Sequence, residues 1–212
     1  MRLHLVGAVA AVLLCALIAA PFAANIGIVS TASPPPSMAS AFLKVSDPMG
    51  HGSGVHIGNG YVLTAAHVVQ ANKTMTVTDT EHRTMAGEVL WANTEYDIAL
   101  LRLPGASYVE SAPLSCAKNY VGQLVKAYGN PQDLEFVFTF GQVNGAARKW
   151  AVWREVVPVD AAVIPGQSGG AVVDTQGSVI GITVGVMIWQ YGLTGQGFFV
   201  PGSAICQLMG RA

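Results

Sequence analysis

Short runs of apolar and β-branched residues recur through most of the chain. They fall at Val55–Ile57, Tyr61–Leu63, Met75–Val77, Glu88–Trp91, Ile98–Leu103, Leu124–Tyr128, Phe136–Phe140, Ala151–Val157, Ala171–Val173, Val179–Val184 and Phe198–Val200. Turn formers separate them: Gly58-Asn59-Gly60, Asn72-Lys73, Gly129-Asn130-Pro131 and Asp174-Thr175-Gln176-Gly177. Many short strands at this spacing predict an all-β sandwich or barrel. Helix signals are few. Ala65–Gln70 suits one short turn, and Gly202–Met209 predicts a short C-terminal helix that Ser203 would cap. No repeat of about 20–50 residues is present.

The N-terminus breaks this pattern. Residues 5–20 carry no charge and follow Arg2. A positive start before a short apolar core reads as a secretory signal. Cleavage would fall after Ala24 or near Ser30-Thr31-Ala32. The alternative is an uncleaved anchor across residues 5–24, because the run nears bilayer-spanning length. Arg2 would then leave the rest of the chain outside. The expectation is an exported protein, periplasmic or extracellular, that meets a membrane only if this segment is kept. Ser33-Pro34-Pro35-Pro36-Ser37 reads as a stiff, extended spacer within a linker over 25–40.

Composition narrows the classes. The chain has 212 residues, of which 51% are hydrophobic and 11% charged. The leader accounts for part of that excess. Beyond position 40 about 170 residues remain, enough for one large β domain or two small barrels. A net charge of −1 with no basic cluster argues against a nucleic-acid partner. His4, His51, His56 and His82 form no metal constellation, so neither a metal nor a cofactor is expected. Trp150 and Trp153 are expected in the core or at a rim. Cys15 belongs to the leader. Cys116 and Cys206 cannot by themselves build a four-ligand zinc site. They would pair in an oxidising compartment or stay as buried thiols.

Three short motifs carry chemistry. Gly166-Gln167-Ser168-Gly169-Gly170 offers a hydroxyl on a tight turn. Its glycines would let backbone N–H groups approach a developing oxyanion. Alone it reads equally as a hairpin loop. Thr64-Ala65-Ala66-His67-Val68 supplies an imidazole, the base suited to neutral pH. Asp97 opens the apolar run Ile98-Ala99-Leu100-Leu101, where an unpaired carboxylate would be costly to bury. A hydrogen bond to an imidazole offsets that cost and sets the tautomer. Asp97 follows His67 by 30 positions (97 − 67), and Ser168 follows Asp97 by 71 (168 − 97).

These motifs in this order resemble the trypsin/chymotrypsin family of serine peptidases. Gly52-Ser53-Gly54-Val55, Gly60-Tyr61-Val62-Leu63-Thr64, Ala127–Pro131, Asp160–Gly166 and Gly197–Pro201 resemble its HtrA/Deg branch. The likeness covers about residues 41–209. It implies two six-stranded antiparallel β-barrels, with the first over 41–113, a linker at 114–121, the second over 122–201 and a helix over 202–212. It implies a triad of His67, Asp97 and Ser168, an oxyanion hole from the N–H groups of Gly166 and Ser168, and protein or peptide substrates. The offsets of Cys116 from Asp97 and of Cys206 from Ser168 are similar to a bridge in chymotrypsin-like enzymes, which implies a Cys116–Cys206 disulfide.

Some features depart from the family. Gln167 stands where digestive members carry an aspartate, so activation by an inserted N-terminus is not expected. The chain ends at Ala212 soon after the presumed helix, so no PDZ domain is expected. Ala162, six positions before the serine, would form the base of the S1 pocket. Val163, Ile164, Val184, Val186 and Phe199 would wall it, implying cleavage after small or medium apolar residues. Thr183-Val184-Gly185 would pair with the substrate backbone as an added strand. Competing readings are a silent binding module on the same fold and a self-processing viral or phage protease.

Overall fold

The computed structural model describes residues 38–189 and 192–210. The leader at 5–24, its cleavage points and the proline-rich spacer lie outside these residues. Among the described residues, no helix is long and apolar enough to cross a membrane.

Six strands build the first half: β1 (Phe42–Asp47), β2 (Gly50–Gly58), β3 (Tyr61–Thr64), β4 (Thr74–Thr78), β5 (Thr84–Asn93) and β6 (Ile98–Arg102). They close an antiparallel barrel in the order β1-β2-β3-β6-β5-β4, with β4 returning to β1. Alternation sets the inside. On β4 Met75 and Val77 are buried while Thr74 and Thr76 face solvent. On β6 both faces are apolar because both are covered. Ala99 and Leu101 point into the barrel, whereas Ile98 and Leu100 join a second cluster shared with the other half. That explains the unbroken run Ile98-Ala99-Leu100-Leu101, which alternation alone would not produce. A short helix, α1 (Ala66–Val69), follows β3.

The second half holds β7 (Leu124–Gly129), β8 (Val137–Gln142), β9 (Arg148–Trp150), β10 (Trp153–Val159), β11 (Ala171–Val173), β12 (Val179–Trp189) and β13 (Gly192–Pro201). Their order is β8-β7-β11-β12-β13-β10-β9. The sheet curls until its ends nearly meet. A bridge joins Val143, just past β8, to Val159 of β10, and Asn144 N donates to Pro158 O at 3.1 Å. Val125, Val157, Val172, Ile180 and Phe199 are among the side chains that fill its interior. The predicted double-barrel architecture is therefore present, with β9 as a seventh strand hairpinned onto β10. Every residue of β9 is exposed, so it leaves no hydrophobic pattern to read. Helix α2 (Gly202–Leu208) ends the fold. It begins after Pro201 without a side-chain cap, so Ser203 does not play the expected role.

Contacts across the two halves fix the cleft. Leu63, Ile98 and Leu100 pack in one cluster with Val156, Ile182, Val200 and Ile205. The rings of Phe42 and Tyr128 stack with centroids 3.8 Å apart. Lys44 Nζ donates to Glu135 at 2.6 Å. The connecting segment is tied down twice. His56 accepts from Gly60 N at its Nε2 (3.1 Å), so its Nδ1 carries the proton and donates to Glu110 O at 2.8 Å. Cys116 and Cys206 form the expected disulfide, with Cα atoms 5.7 Å apart.

Candidate active site

The first barrel positions two of the three expected groups. Asp97 sits in the turn from β5 to β6, which Asn93 opens by accepting from Tyr96 N at 3.0 Å. Its φ is +61°, in the left-handed region that aspartate tolerates better than most residues. The strained turn aims the carboxylate at α1. His67 N donates to Oδ1 at 2.8 Å, and His67 Nδ1 donates to Oδ2 at 2.7 Å. Ala66 N also donates to Asp97 O at 3.1 Å. Asp97 is 8% exposed, whereas the His67 side chain is 48% exposed. The carboxylate thus holds the ring at one edge and leaves Nε2 free toward the cleft.

The second half contributes Ser168. Among the described residues, His67 and Ser168 line one cleft of ≈ 250 Å³, together with His51, Gln70, Pro165 and Gly166. No hydrogen bond joins Ser168 Oγ to the imidazole. Catalytic hydrogen bonds are often long before substrate binds, so the missing bond does not by itself argue against a pairing.

The serine loop is held from both sides. Gln167 N donates to Ile164 O at 3.1 Å, and Ile164 N donates to Gln167 Oε1 at 2.8 Å. Gly169 N and Gly170 O bond to Thr183. That leaves Gly166 N and Ser168 N without hydrogen-bond partners among the described residues. Gln132 N donates to Pro165 O at 3.1 Å, which ties the start of the serine loop to the loop after β7. Gly166 has a φ of +97° and packs against Asn130 O, where no Cβ would fit.

A hub that the motifs did not single out supports this loop. Ser53 is 1% exposed. Its Oγ donates to Gly166 O at 2.8 Å and accepts from Asn130 N at 2.8 Å. Its backbone N donates to Ser168 O at 2.7 Å. Asn130 Nδ2 reaches back to Leu43 O at 3.0 Å. One hydroxyl from β2 therefore ties the serine loop to the first barrel. The cue was present in Gly52-Ser53-Gly54 and Asn130-Pro131, but only their place in the motif pattern was legible. His51 lies in the same cleft, where its Nε2 bonds Asn130 O at 2.9 Å. At the cleft rim the Asp47 carboxyl is held below its usual range, chiefly by the Met49 amide.

Residues 52–182 match the trypsin-like peptidase domain family. The chain belongs to the trypsin-like peptidase family. Its HtrA/Deg affinity appears in its relatives. It is 35% identical over 161 residues to a putative serine protease HhoA of Synechocystis, covering 72% of this chain and 40% of that protein. It is 32% identical over 158 residues to a probable periplasmic serine endoprotease, DegP-like, of Halomonas elongata, covering 71% and 32%. The serine endoprotease from Yersinia pestis superposes with a TM-score of 0.72 at 26% identity, over 84% of this chain and 67% of that one. The chain thus spans about two fifths or less of the curated relatives it matches.

Within this trypsin-like frame the expected specificity residues divide. Val163 is buried and faces Gly197, where a Cβ would lie 2.5 Å from its Cγ2. Ala162 is exposed, and its carbonyl accepts from Thr139 Oγ1 at 2.9 Å. Ile164 is half-buried beside the loop, and Val184 is buried. Phe199 is fully buried with its ring against Gly181, so it fills the second core and walls nothing. Thr183 cannot pair with a substrate, because its N–H and C=O are already bonded to Gly170 and Gly169. Beyond Thr183, no strand among the described residues pairs with β12 on the β11 side, which leaves the backbone of Val184, Gly185 and Val186 along that edge.

Proposed function

We propose that this protein is an exported serine endopeptidase in which Ser168 attacks the scissile carbonyl, His67 takes its proton and Asp97 orients the imidazole. The observation that carries the reading is the two-point bond between Asp97 and His67, placed in one cleft with Ser168. The names of the relatives support it. They are serine proteases and endoproteases, one of them described as periplasmic.

Asp97 accepts from Nδ1, so Nε2 is unprotonated and faces the serine. Nε2 removes the hydroxyl proton as Oγ bonds to the carbonyl carbon. The carbonyl oxygen becomes an oxyanion, which Gly166 N–H and Ser168 N–H stabilise. Imidazolium then protonates the departing amine. A water repeats the sequence on the acyl-enzyme and releases the new carboxylate. Val163, Val184 and Val186 present apolar walls and no carboxylate, which favours a small or medium apolar P1 residue. An extended substrate would lie along Val184–Val186.

The test uses the full chain with unfolded casein and a fluorophosphonate probe. Wild type cleaves casein and takes one label at Ser168, and Ser168→Ala does neither. An unlabelled wild type that binds casein without cutting it would refute the reading.

A further inference from the structure

Asp97 accepts a third hydrogen bond, and it comes from the other half of the molecule. Trp153 Nε1 donates to Oδ2 at 3.1 Å, the same oxygen that accepts from His67 Nδ1. Neither the motif pattern nor the peptidase reading assigns this tryptophan a role. We propose that Trp153 is a positioning residue, which sets the carboxylate of Asp97 and through it the ring of His67. The inference rests on the peptidase reading of the site.

Three observations support it. First, the donor set is otherwise local. Among the described residues, both remaining bonds to the carboxylate come from His67 itself. A carboxylate tied only to the ring it must orient could swing with that ring. The indole supplies a fixed reference from β10. This matters more because His67 is half-exposed and Asp97 sits on a left-handed turn.

Second, the indole is itself immobilised. It covers Gly185, where a Cβ would lie 2.5 Å from Cη2 and 2.8 Å from Cζ2. Its ring centroid lies 6.0 Å from that of Phe198. Any larger residue at 185 would displace the indole and its N–H.

Third, the next residue clamps the same turn. Arg154 N donates to Glu95 O at 2.8 Å, and Arg154 Nη1 donates to the Glu95 carboxylate at 2.9 Å. The guanidinium also lies 5.7 Å from the centre of the Tyr96 ring. Residues 153 and 154 therefore dock onto residues 95–97 through side chain and backbone alike. The surface that a substrate strand would touch at Gly185 is continuous with the residue that holds Asp97.

The test is Trp153→Phe, which keeps an aromatic ring over Gly185 and removes the N–H. Peptide hydrolysis should lose about tenfold in kcat with KM within about twofold, the scale of one hydrogen bond to a charged group. In proton NMR the His67 Nδ1 proton should move downfield, since its acceptor oxygen no longer serves a second donor. If the Phe variant does not fold, benzothienylalanine at 153 keeps the indole shape with sulfur in place of N–H. Wild-type kcat and an unmoved resonance in the variant would overturn the inference while leaving the peptidase reading intact. A rise in KM alone, or a lower melting temperature with normal kcat, would also overturn it, because the role would then be structural. A wild type that neither cuts peptides nor labels at Ser168 would overturn both readings.

Discussion

Replacing Gly166 with alanine tests the oxyanion turn most directly. At a φ of +97° an L residue is strained, at about 1–3 kcal/mol. The new Cβ would press on Asn130 O and would lie 2.9 Å from Gln132 N and 3.1 Å from His51 Nε2. Those neighbours cannot retreat easily. Asn130 is 1% exposed and is bonded to Ser53, Leu43 and Phe136. The loop must move instead, breaking the Ser53–Gly166 bond and turning Gly166 N from the cleft. Loss of one oxyanion donor costs about 10²–10³ in kcat. KM should change little, because the ground-state carbonyl does not depend on that donor. Strain and one or two lost hydrogen bonds should also lower stability by about 2–4 kcal/mol. Steady-state hydrolysis of a fluorogenic peptide with valine at P1 reads the first effect, and urea unfolding reads the second. A kcat within about threefold of wild type would show that Gly166 N–H does not serve the transition state.

Two further perturbations probe the scaffold. The Cys116–Cys206 bridge closes a separation of 90 residues, for which the chain-entropy relation gives about 4–5 kcal/mol. Calorimetry of a Cys116→Ala/Cys206→Ala variant should show a melting temperature lower by about 10–15 °C, and a fall under about 3 °C would refute that account. Glu135 should carry an acid-linked share of stability. The Lys44 hydrogen bond holds its carboxyl below the ordinary value of 4.5, with His82 and His51 adding attraction. A depressed carboxylate stabilises the fold above its unfolded value and loses that effect as pH falls through the lower folded one. Urea midpoints of wild type and Glu135→Gln should therefore differ at pH 7 and converge on acidification below about pH 4. Divergence toward acid would contradict the pairing.

What was legible in the chain followed from how each signal is encoded. Strands with one covered face showed their period, and β4 and β7 fell close to where the pattern put them. Strand β1 was missed because Lys44, Ser46 and Asp47 interrupt Phe42, Leu43 and Val45. Lys44 lies on the strand for the sake of Glu135, which is distant in sequence. The three catalytic candidates were visible as motifs because each needs particular neighbours in the chain. Ser53 and Asn130 stood in quoted motifs and Trp153 in none, but the contacts of all three were hidden, since they involve partners 56–113 positions away. The pocket residues were hardest. Which of positions 162 and 163 is covered depends on the local turn: Ala162 is exposed while Val163 is buried against Gly197.

The bridge from the connecting segment to the last helix turns the second half of the molecule into a covalent ring. The proposed peptidase would work among copies of itself, and exposed loops are where backbones are nicked. A cut at any bond between Cys116 and Cys206 would leave both fragments attached, with Ser168 still joined to the barrel that bears His67. Such damage would be silent on a non-reducing gel and would appear as two bands only after reduction. A cut between residues 103 and 115 has no such safeguard, and would leave the barrel bearing His67 joined to the half bearing Ser168 by non-covalent contacts alone.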